Sequence, residues 1–144
     1  MRTDPLKTFH DMELGARAEH TAVVSAETIR TYARLSGDHN PIHEDAAYAA
    51  TTRFGRPVAH GMLVAGYVQT ALTKLVAPGG VSTGYQFDLL APVFEDTAIT
   101  AQAVCTHLDP VTNRATFTIT VVDDTTRKQL ISGSAVVAFP KGEK

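Results

Sequence analysis

At the junction of two predicted helices, the chain reads Ser36-Gly37-Asp38-His39-Asn40-Pro41-Ile42-His43. Residues 25–34 before this polar run and residues 62–76 after it have helical patterns, and the second is much more apolar. Gly37 and Pro41 are typical of turns, and the residue before a proline is driven out of the helical conformation. Helix therefore cannot run straight through the junction, and residues 35–61 form a bent connection around which the chain is organised.

Asp38 and His43 lie five residues apart on this bent segment. Because the segment is bent, we expect the two side chains to converge on one small space rather than to line one helical face. A carboxylate and an imidazole in such a space can exchange protons with a substrate, so they form a candidate acid–base pair. Each residue taken alone also has a structural reading, Asp38 as a turn or cap residue and His43 as a loop histidine.

The remaining pattern predicts helices first and strands afterwards. Ser25 provides an N-cap for the first helix, Gly37 ends it, and the Ala-rich residues 44–51 suit a short second helix. In residues 61–76 apolar side chains surround nearly the whole helical circumference, so we expect this helix to be buried on every side. A β-like run that suits an edge strand precedes the helices, and further strand-like runs follow them; these runs are 17–24, 84–93, 98–108, 115–122 and 130–139.

These elements predict an α+β domain in which an antiparallel sheet packs on one hydrophobic helix, rather than a βαβ fold. Turn-like residues at 109–113 and 123–126 join the last strands and favour a meander. The chain of 144 residues is expected to form a single domain, residues 1–144, with a loose segment at residues 1–11. Because one sheet leaves its edges and part of the helix uncovered, we expect a homodimer or a larger symmetric assembly.

The composition disfavours several classes of function. The 13 Lys and Arg residues nearly balance the 15 Asp and Glu residues without any basic run, so neither nucleic acid nor a membrane surface is indicated as a partner. The single cysteine, Cys105, cannot form an internal disulfide, and its strand-like setting favours a small core residue. The start of the sequence shows no apolar signal segment, and together these features predict a soluble cytoplasmic protein.

The polar run at 36–43, followed by Ala49, resembles the signature of MaoC-like (R)-specific enoyl-CoA hydratases. The similarity covers residues 12–139 and includes two further runs, Arg56-Pro57-Val58-Ala59-His60-Gly61-Met62-Leu63 and Phe87-Asp88-Leu89-Leu90-Ala91-Pro92-Val93. It implies a hot-dog fold, an antiparallel sheet wrapped around a central helix, working as a dimer with the acyl thioester bound near the interface. The implied reaction adds water reversibly to a trans-2-enoyl-CoA, giving an (R)-3-hydroxyacyl-CoA. It needs no cofactor, and coenzyme A is part of the substrate.

By the same resemblance, Asp38 and His43 are the catalytic pair, and the backbone amide of Gly61 is the oxyanion donor. Hydration needs water at the β-carbon, a proton at the α-carbon and stabilisation of the enolate oxygen between these events. We assign His43 as the base on water and Asp38 as the group that orients water and passes the α-proton, although the two roles can be exchanged. An amide at a helix start suits the oxyanion because the first N–H groups of a helix lack partners.

Further residues near the motif are candidates for substrate contacts. Asn40 is expected to hold the loop in shape, the commoner role of Asn before Pro, or to bond to the catalytic pair. His60 either caps the buried helix or touches the substrate. Arg53 and Arg56 either bind CoA phosphates or remain solvated surface charges. Gln69 stands on the central helix where members of the family can carry a serine, so rate or substrate preference is expected to differ.

A metal site and two other functions are the alternatives. Imidazole and carboxylate are zinc ligands, but the spacing of Asp38, His39, His43 and His60 matches no zinc site, and we predict no metal. An acyl-CoA thioesterase suits the same fold; there a carboxylate activates water against the carbonyl, and free CoA thiol is released. The other alternative is a non-catalytic acyl-CoA-binding or structural subunit that pairs with a different MaoC-like chain.

Overall fold

One antiparallel sheet and one long helix make up most of the structure, a computed structural model that describes residues 4–141. The strands are β1 (Arg17–Val24), β2 (Val81–Leu89), β3 (Thr97–Asp109), β4 (Arg114–Asp123) and β5 (Gln129–Ala138). The helices are α1 (Ala26–Ser36), α2 (Pro41–Glu44), α3 (Ala46–Ala50) and α4 (Gly61–Val76), and a short 3-10 helix covers Phe9–Asp11. The α+β class predicted from the sequence is confirmed.

The sheet has five strands in the order β1-β3-β4-β5-β2, and the pairs are antiparallel. The consecutive strands β3, β4 and β5 form the predicted meander. β1 lies at one edge, as its strand pattern predicted, and β2 lies at the other edge beside β5. α4 packs across the sheet, mainly against β1 and β3. This sheet around one long helix is the hot-dog arrangement that the resemblance implies.

The core lies between α4 and the inner face of the sheet. Successive side chains of a strand point to opposite faces, so alternate residues of β3 and β4 are buried. They are Ile99, Ala101, Ala103 and Cys105 on β3 and Ala115, Phe117, Ile119 and Val121 on β4. Cys105 is 1% exposed, and burial raises the pKa of its thiol. The predicted role of Cys105 as a small core residue is therefore confirmed.

α4 is covered on one side only, so the prediction of a helix buried on every side is wrong. Met62 is 61% exposed, and Gln69 and Thr73 are exposed with it. Their spacing of seven and then four residues places all three on one helical face. The apolar pattern failed here because it does not show that no other layer of the chain covers this face, on which Met62 lies with the polar Gln69 and Thr73. Within residues 4–141, no helix combines the length and the apolar character needed to cross a membrane.

Both predicted ends of α1 are confirmed. The Ser25 Oγ accepts a hydrogen bond from the Thr28 N–H at 3.1 Å, which satisfies one of the free donors of the first turn. Gly37 adopts the left-handed conformation with φ of 82°, and its N–H donates to the Ala33 carbonyl. Since a left-handed residue cannot continue the helix, the chain turns here and releases Asp38 into a loop.

The short helix predicted at 44–51 is present as α3, and a further short helix, α2, precedes it. α2 already begins at Pro41, because the fixed φ of proline suits the first helical position. Asp45 then interrupts the helical run and caps α3, its carboxylate accepting a hydrogen bond from the Tyr48 N–H at 3.0 Å. His43 consequently belongs to a one-turn helix whose ends are both capped.

The segment expected to be loose lies partly outside the described residues, since residues 1–3 are not among them. The remainder contacts the body of the protein. The Lys7 N–H donates to the Pro78 carbonyl at 2.6 Å, and Phe9–Asp11 form a helical turn that packs through Phe9 onto the core. For residues 7–11 this attachment corrects the expectation of a loose segment.

We predict that Gly133→Ala destabilises the protein by about 3 kcal/mol, the upper end of the range for overpacking. Gly133 pairs with Phe87 between β5 and β2, and a Cβ at this position lies 1.8 Å from the Gln86 carbonyl oxygen. The backbone cannot move aside without opening the strand pair. Urea unfolding measures the change.

Gly84→Ala is the matched control, because Gly84 lies in the same strand pair and an added Cβ meets no atom within 4 Å. Its stability is expected to change by no more than about 1 kcal/mol. Equal stabilities of the two variants would contradict the close approach of β2 and β5 at Gly133.

Candidate active site

The fold brings three side chains of the polar segment together. Asp38 lies in the loop after α1, His43 lies on α2, and His60 immediately precedes α4. One polar atom of each side chain lies within 4.8 Å of those of the other two. The convergence expected for Asp38 and His43 is therefore present, with His60 as a third member of the group.

Local hydrogen bonds fix the loop that carries Asp38. Its Oδ1 accepts from the Asn40 N–H at 3.1 Å, and its own N–H donates to the Ser36 Oγ at 3.2 Å. The Asn40 side chain in turn accepts from the Ile42 N–H at 3.2 Å and caps α2. Asn40 thus has the structural role that was the commoner expectation. The Asp38 side chain is exposed, with one carboxylate oxygen engaged by the loop.

His43 is half-buried, and its tautomer follows from its partner. Nδ1 lies 2.6 Å from the Val58 carbonyl oxygen. A carbonyl only accepts, so Nδ1 carries the proton and donates it. In the neutral ring Nε2 is then an unprotonated nitrogen with an available lone pair, which is the form that a general base requires.

His60 is almost completely buried, with 3% of its surface exposed. Its Nε2 donates to the backbone carbonyl of Asp38 at 2.9 Å, and its ring stacks on the His43 ring with centroids 3.7 Å apart and planes 25° apart. The Tyr32 ring also packs against the His60 ring, with 4.8 Å between the two ring centroids. His60 occupies the N-cap position of α4 without a side-chain capping bond, so the capping role expected of it is wrong.

The same three residues are chemically suitable metal ligands, and their geometry tests that possibility. Metal-bound imidazoles direct their lone pairs, within their ring planes, toward one point about 2 Å away. The His43 and His60 rings are stacked 3.7 Å apart, so their lone pairs lie in nearly parallel planes. In addition, one nitrogen of each ring is occupied by a backbone carbonyl. This arrangement suits proton transfer better than metal binding.

Gly61 places a backbone amide at the wall of an apolar cavity. As the first residue of α4, it has no carbonyl within the helix to receive its N–H. The cavity has a volume of about 680 Å³, and apolar side chains dominate its lining; they include Phe54, Val64, Leu89, Val93 and Ile131. A Cβ on Gly61 would lie 2.5 Å from Leu89 Cδ1, so glycine permits close approach at this point. Volume and lining suit an acyl chain.

The two candidate arginines lie in different places. Arg53 lines the cavity of Gly61, with its guanidinium carbon 4.7 Å from the centre of the Phe54 ring. Arg56 stacks on Phe94 at 4.3 Å and lines a separate groove that is rich in carboxylates; these are Glu95, Asp96 and Asp123. The structure therefore brings Arg53, but not Arg56, to the apolar cavity.

Gln69 also lies outside the cavity of Gly61. It belongs to the uncovered face of α4 and lines a smaller cavity together with Tyr32, Met62 and Phe87. Tyr32 contacts His60 as well, so this smaller cavity is adjacent to the three-residue group. Within residues 4–141, Gln69 makes no hydrogen bond to Asp38 or His43, and its side chain is exposed on the single chain.

Two residues of the site were missed by sequence reasoning. Val58 acts through its backbone carbonyl, and a sequence cannot single out such a group because every residue has one. Leu89 was visible only as a member of the motif at 87–93, since its contact with Gly61 depends on how β2 lies relative to α4. Neither contribution leaves a local pattern in the chain.

Comparisons with known proteins match most of the chain. A family model described as MaoC like domain matches residues 8–127. The (R)-specific enoyl-CoA hydratase of Rhodospirillum rubrum is 35% identical over 136 residues, which cover 94% of this chain and 93% of that relative. The 3-hydroxybutyryl-CoA dehydratase of Methylorubrum extorquens is 32% identical, with 94% of this chain and 86% of that relative covered. The unliganded R-hydratase PhaJ1 of Pseudomonas aeruginosa superposes with a TM-score of 0.85 at 30% identity, covering 94% of this chain and 86% of that structure.

Proposed function

This chain belongs to the family of MaoC-like domains, and from that premise we propose that it is an (R)-specific enoyl-CoA hydratase. The reaction adds water to a trans-2-enoyl-CoA, gives an (R)-3-hydroxyacyl-CoA, and runs as a dehydration in reverse. The observation that carries the proposal is the convergence of Asp38 and His43 with His60, which directly precedes Gly61 on the wall of an apolar cavity. The names of the relatives, hydratase and dehydratase, describe the two directions of this reaction.

His43 is the base in the proposed mechanism. The Val58 carbonyl holds the Nδ1 proton, so Nε2 can accept a proton from water as the water oxygen bonds to the β-carbon. The electrons of the double bond move to the thioester, forming an enolate. The proton that His43 has accepted passes by way of Asp38 to the α-carbon. One water is thereby added across the double bond, and both side chains return to their starting states.

Gly61 supplies the stabilisation of the enolate. Its N–H belongs to the first turn of α4, where the helix dipole is positive and the amides lack helical acceptors. An amide fixed in this way needs no reorganisation when the negative charge develops on the thioester oxygen.

The substrate in this proposal is an acyl thioester of coenzyme A. The apolar cavity of about 680 Å³ receives the acyl chain, and the Arg53 guanidinium on the same cavity is available to CoA phosphates. Proton transfer and enolate stabilisation use only groups of the chain and of the substrate. The proposed reaction therefore needs no cofactor and no metal.

We further propose a homodimer that works in the cytoplasm, where a free thiol such as that of Cys105 stays reduced. The outer edge of β2 is open, and the large apolar residues Met62 and Leu89 are 61% and 58% exposed. A twofold-related copy would cover both. Sedimentation equilibrium is expected to give twice the mass of the 15.4 kDa chain, and a monomer at micromolar concentration would contradict this part of the proposal.

Asp38→Asn and His43→Ala are each expected to lower the hydration rate by at least about 100-fold, the usual order for an acid–base group. Because both residues act on one water, the double variant should be scarcely slower than either single variant. Loss of the conjugated double-bond absorbance measures the rate, with a panel of enoyl-CoA substrates of graded chain length. Chiral analysis of the product tests the (R) configuration.

His39→Ala is the matched control for these variants. His39 belongs to the same loop, is exposed, and pairs with Glu44 rather than with the three-residue group. Its activity should equal that of the unmodified protein. Near-normal turnover by Asp38→Asn, or losses that add in the double variant, would contradict the shared water. Release of free CoA thiol instead of hydration would favour the thioesterase. Binding of enoyl-CoA without turnover would favour the non-catalytic subunit.

Gly61→Ala is expected to lower kcat/KM by about 100-fold, as a displacement of about 1 Å at a reacting group can do. The fold should survive, because the added methyl group meets the end of the flexible, exposed Leu89 side chain. Adding Leu89→Ala removes that contact but leaves the methyl group beside the amide. The double variant should therefore stay slow. Recovery of activity in it would mean that Gly61 serves to accommodate Leu89 rather than the substrate.

A further inference from the structure

His60 contacts both members of the catalytic pair. Its Nε2–H donates to the backbone carbonyl of Asp38 at 2.9 Å, and its ring stacks on that of His43 at 3.7 Å. We propose that His60 is a positioning residue, which fixes the orientation of Asp38 and His43 relative to each other without touching the substrate. This inference rests on the proposed function, and it replaces the substrate contact expected for His60 from the sequence.

Burial separates His60 from the substrate side of the group. The residue is 3% exposed, whereas Asp38 is exposed and His43 is half-buried. His60 therefore lies beneath the pair. In residues 4–141, its Nδ1 is the only buried side-chain nitrogen or oxygen without a hydrogen-bond partner. A buried nitrogen without a hydrogen-bond partner is rare in folded proteins because it costs free energy. We infer that the hydrogen bond and the stacking of the His60 ring offset this cost.

The hydrogen bond to Asp38 also fixes the role of one nitrogen of the His60 ring. The acceptor is a carbonyl oxygen, so Nε2 must carry a proton and donate it. That N–H is engaged by the backbone of the Asp38 loop and is not directed at a substrate. His60 thus supports the geometry of the pair from the loop side.

The segment that carries His60 supplies both constraints on His43. The Val58 carbonyl binds Nδ1, and the His60 ring packs on the imidazole face. Together they set the direction of Nε2, because one contact fixes the ring edge and the other fixes the ring plane. The next residue, Gly61, provides the proposed oxyanion donor. One short segment, residues 58–61, therefore positions both the proton acceptor, His43, and the proposed oxyanion donor, Gly61.

Two variants separate the contacts of His60. His60→Phe keeps a flat ring for stacking but has no N–H for the Asp38 carbonyl. His60→Gln keeps an N–H in place of Nε2 but has no ring to stack on His43. Each variant is expected to lower kcat by about 10- to 100-fold, the range for catalytic groups displaced by less than about 1 Å, while KM changes less than about twofold.

A rise in KM at unchanged kcat would overturn the inference, because it would make His60 a substrate contact. Unchanged kcat in both variants would overturn it as well. Thermal unfolding confirms that each variant is folded, and where His60→Phe does not fold, His60→Gln still tests whether loss of the stacked ring lowers kcat. His39→Phe is the matched control and should leave kcat and KM unaltered.

Nitrogen-15 NMR of the His43 imidazole tests the inference without turnover. In the unmodified protein the spectrum should show the tautomer protonated at Nδ1, and in the His60 variants the His43 signals are expected to shift and broaden because the ring loses part of its support. Unaltered His43 signals in both variants would overturn the inference. If the unmodified protein hydrates no enoyl-CoA, the proposed function fails, while this spectrum still decides whether His60 positions His43.

Discussion

One hydrogen bond, from His43 Nδ1 to the Val58 carbonyl at 2.6 Å, joins parts of the chain that are 15 residues apart, and the candidate site depends on it. The Val58 N–H donates in return to the Ile42 carbonyl at 3.2 Å, so the two parts are joined in both directions. α2 is a single helical turn, and an isolated turn has no stability of its own in water. The position of the imidazole is therefore set by tertiary contacts rather than by the helix that carries it.

The segment that receives His43 is itself held from its other side. The Ala59 N–H donates to the Val93 carbonyl at 2.7 Å, and Val58 forms an isolated β-bridge with Phe94. Residues 58–59 thus lie between α2 and the connection that follows β2. They lead without a break into His60 and the first turn of α4, so the base and the helical amide share one support. This explains how an exposed loop and the first turn of α4 can hold catalytic groups in a fixed relation.

The sequence predicted those parts of the molecule that depend on local rules. Gly37 ends α1 because its left-handed conformation is a property of one residue, and the alternating strands follow from the two-residue period of a sheet. The uncovered face of α4 and the separate groove of Arg56 were not predictable in this way. Apolar content alone does not tell which face of a helix the sheet covers. The direction of the Arg56 side chain depends on its stacking on Phe94, a residue far away in the sequence. The proximity of His60 to His43 likewise requires the pairing of Val58 with α2.

The exposure of Asp38 links the proposed activity to the proposed assembly. In a single chain this carboxylate faces water, where charges are screened and an oxyanion gains little from one amide. Asp38 binds His60 through its carbonyl, Met62 follows Gly61, and Leu89 contacts Gly61, so all of them border the same end of α4. A second copy that covers the exposed Met62 and Leu89 would therefore also shield the acid–base pair and its one reacting water from bulk solvent. The bare face of α4 and the open site are then two consequences of one fact, that a sheet of five strands covers its helix on one side only.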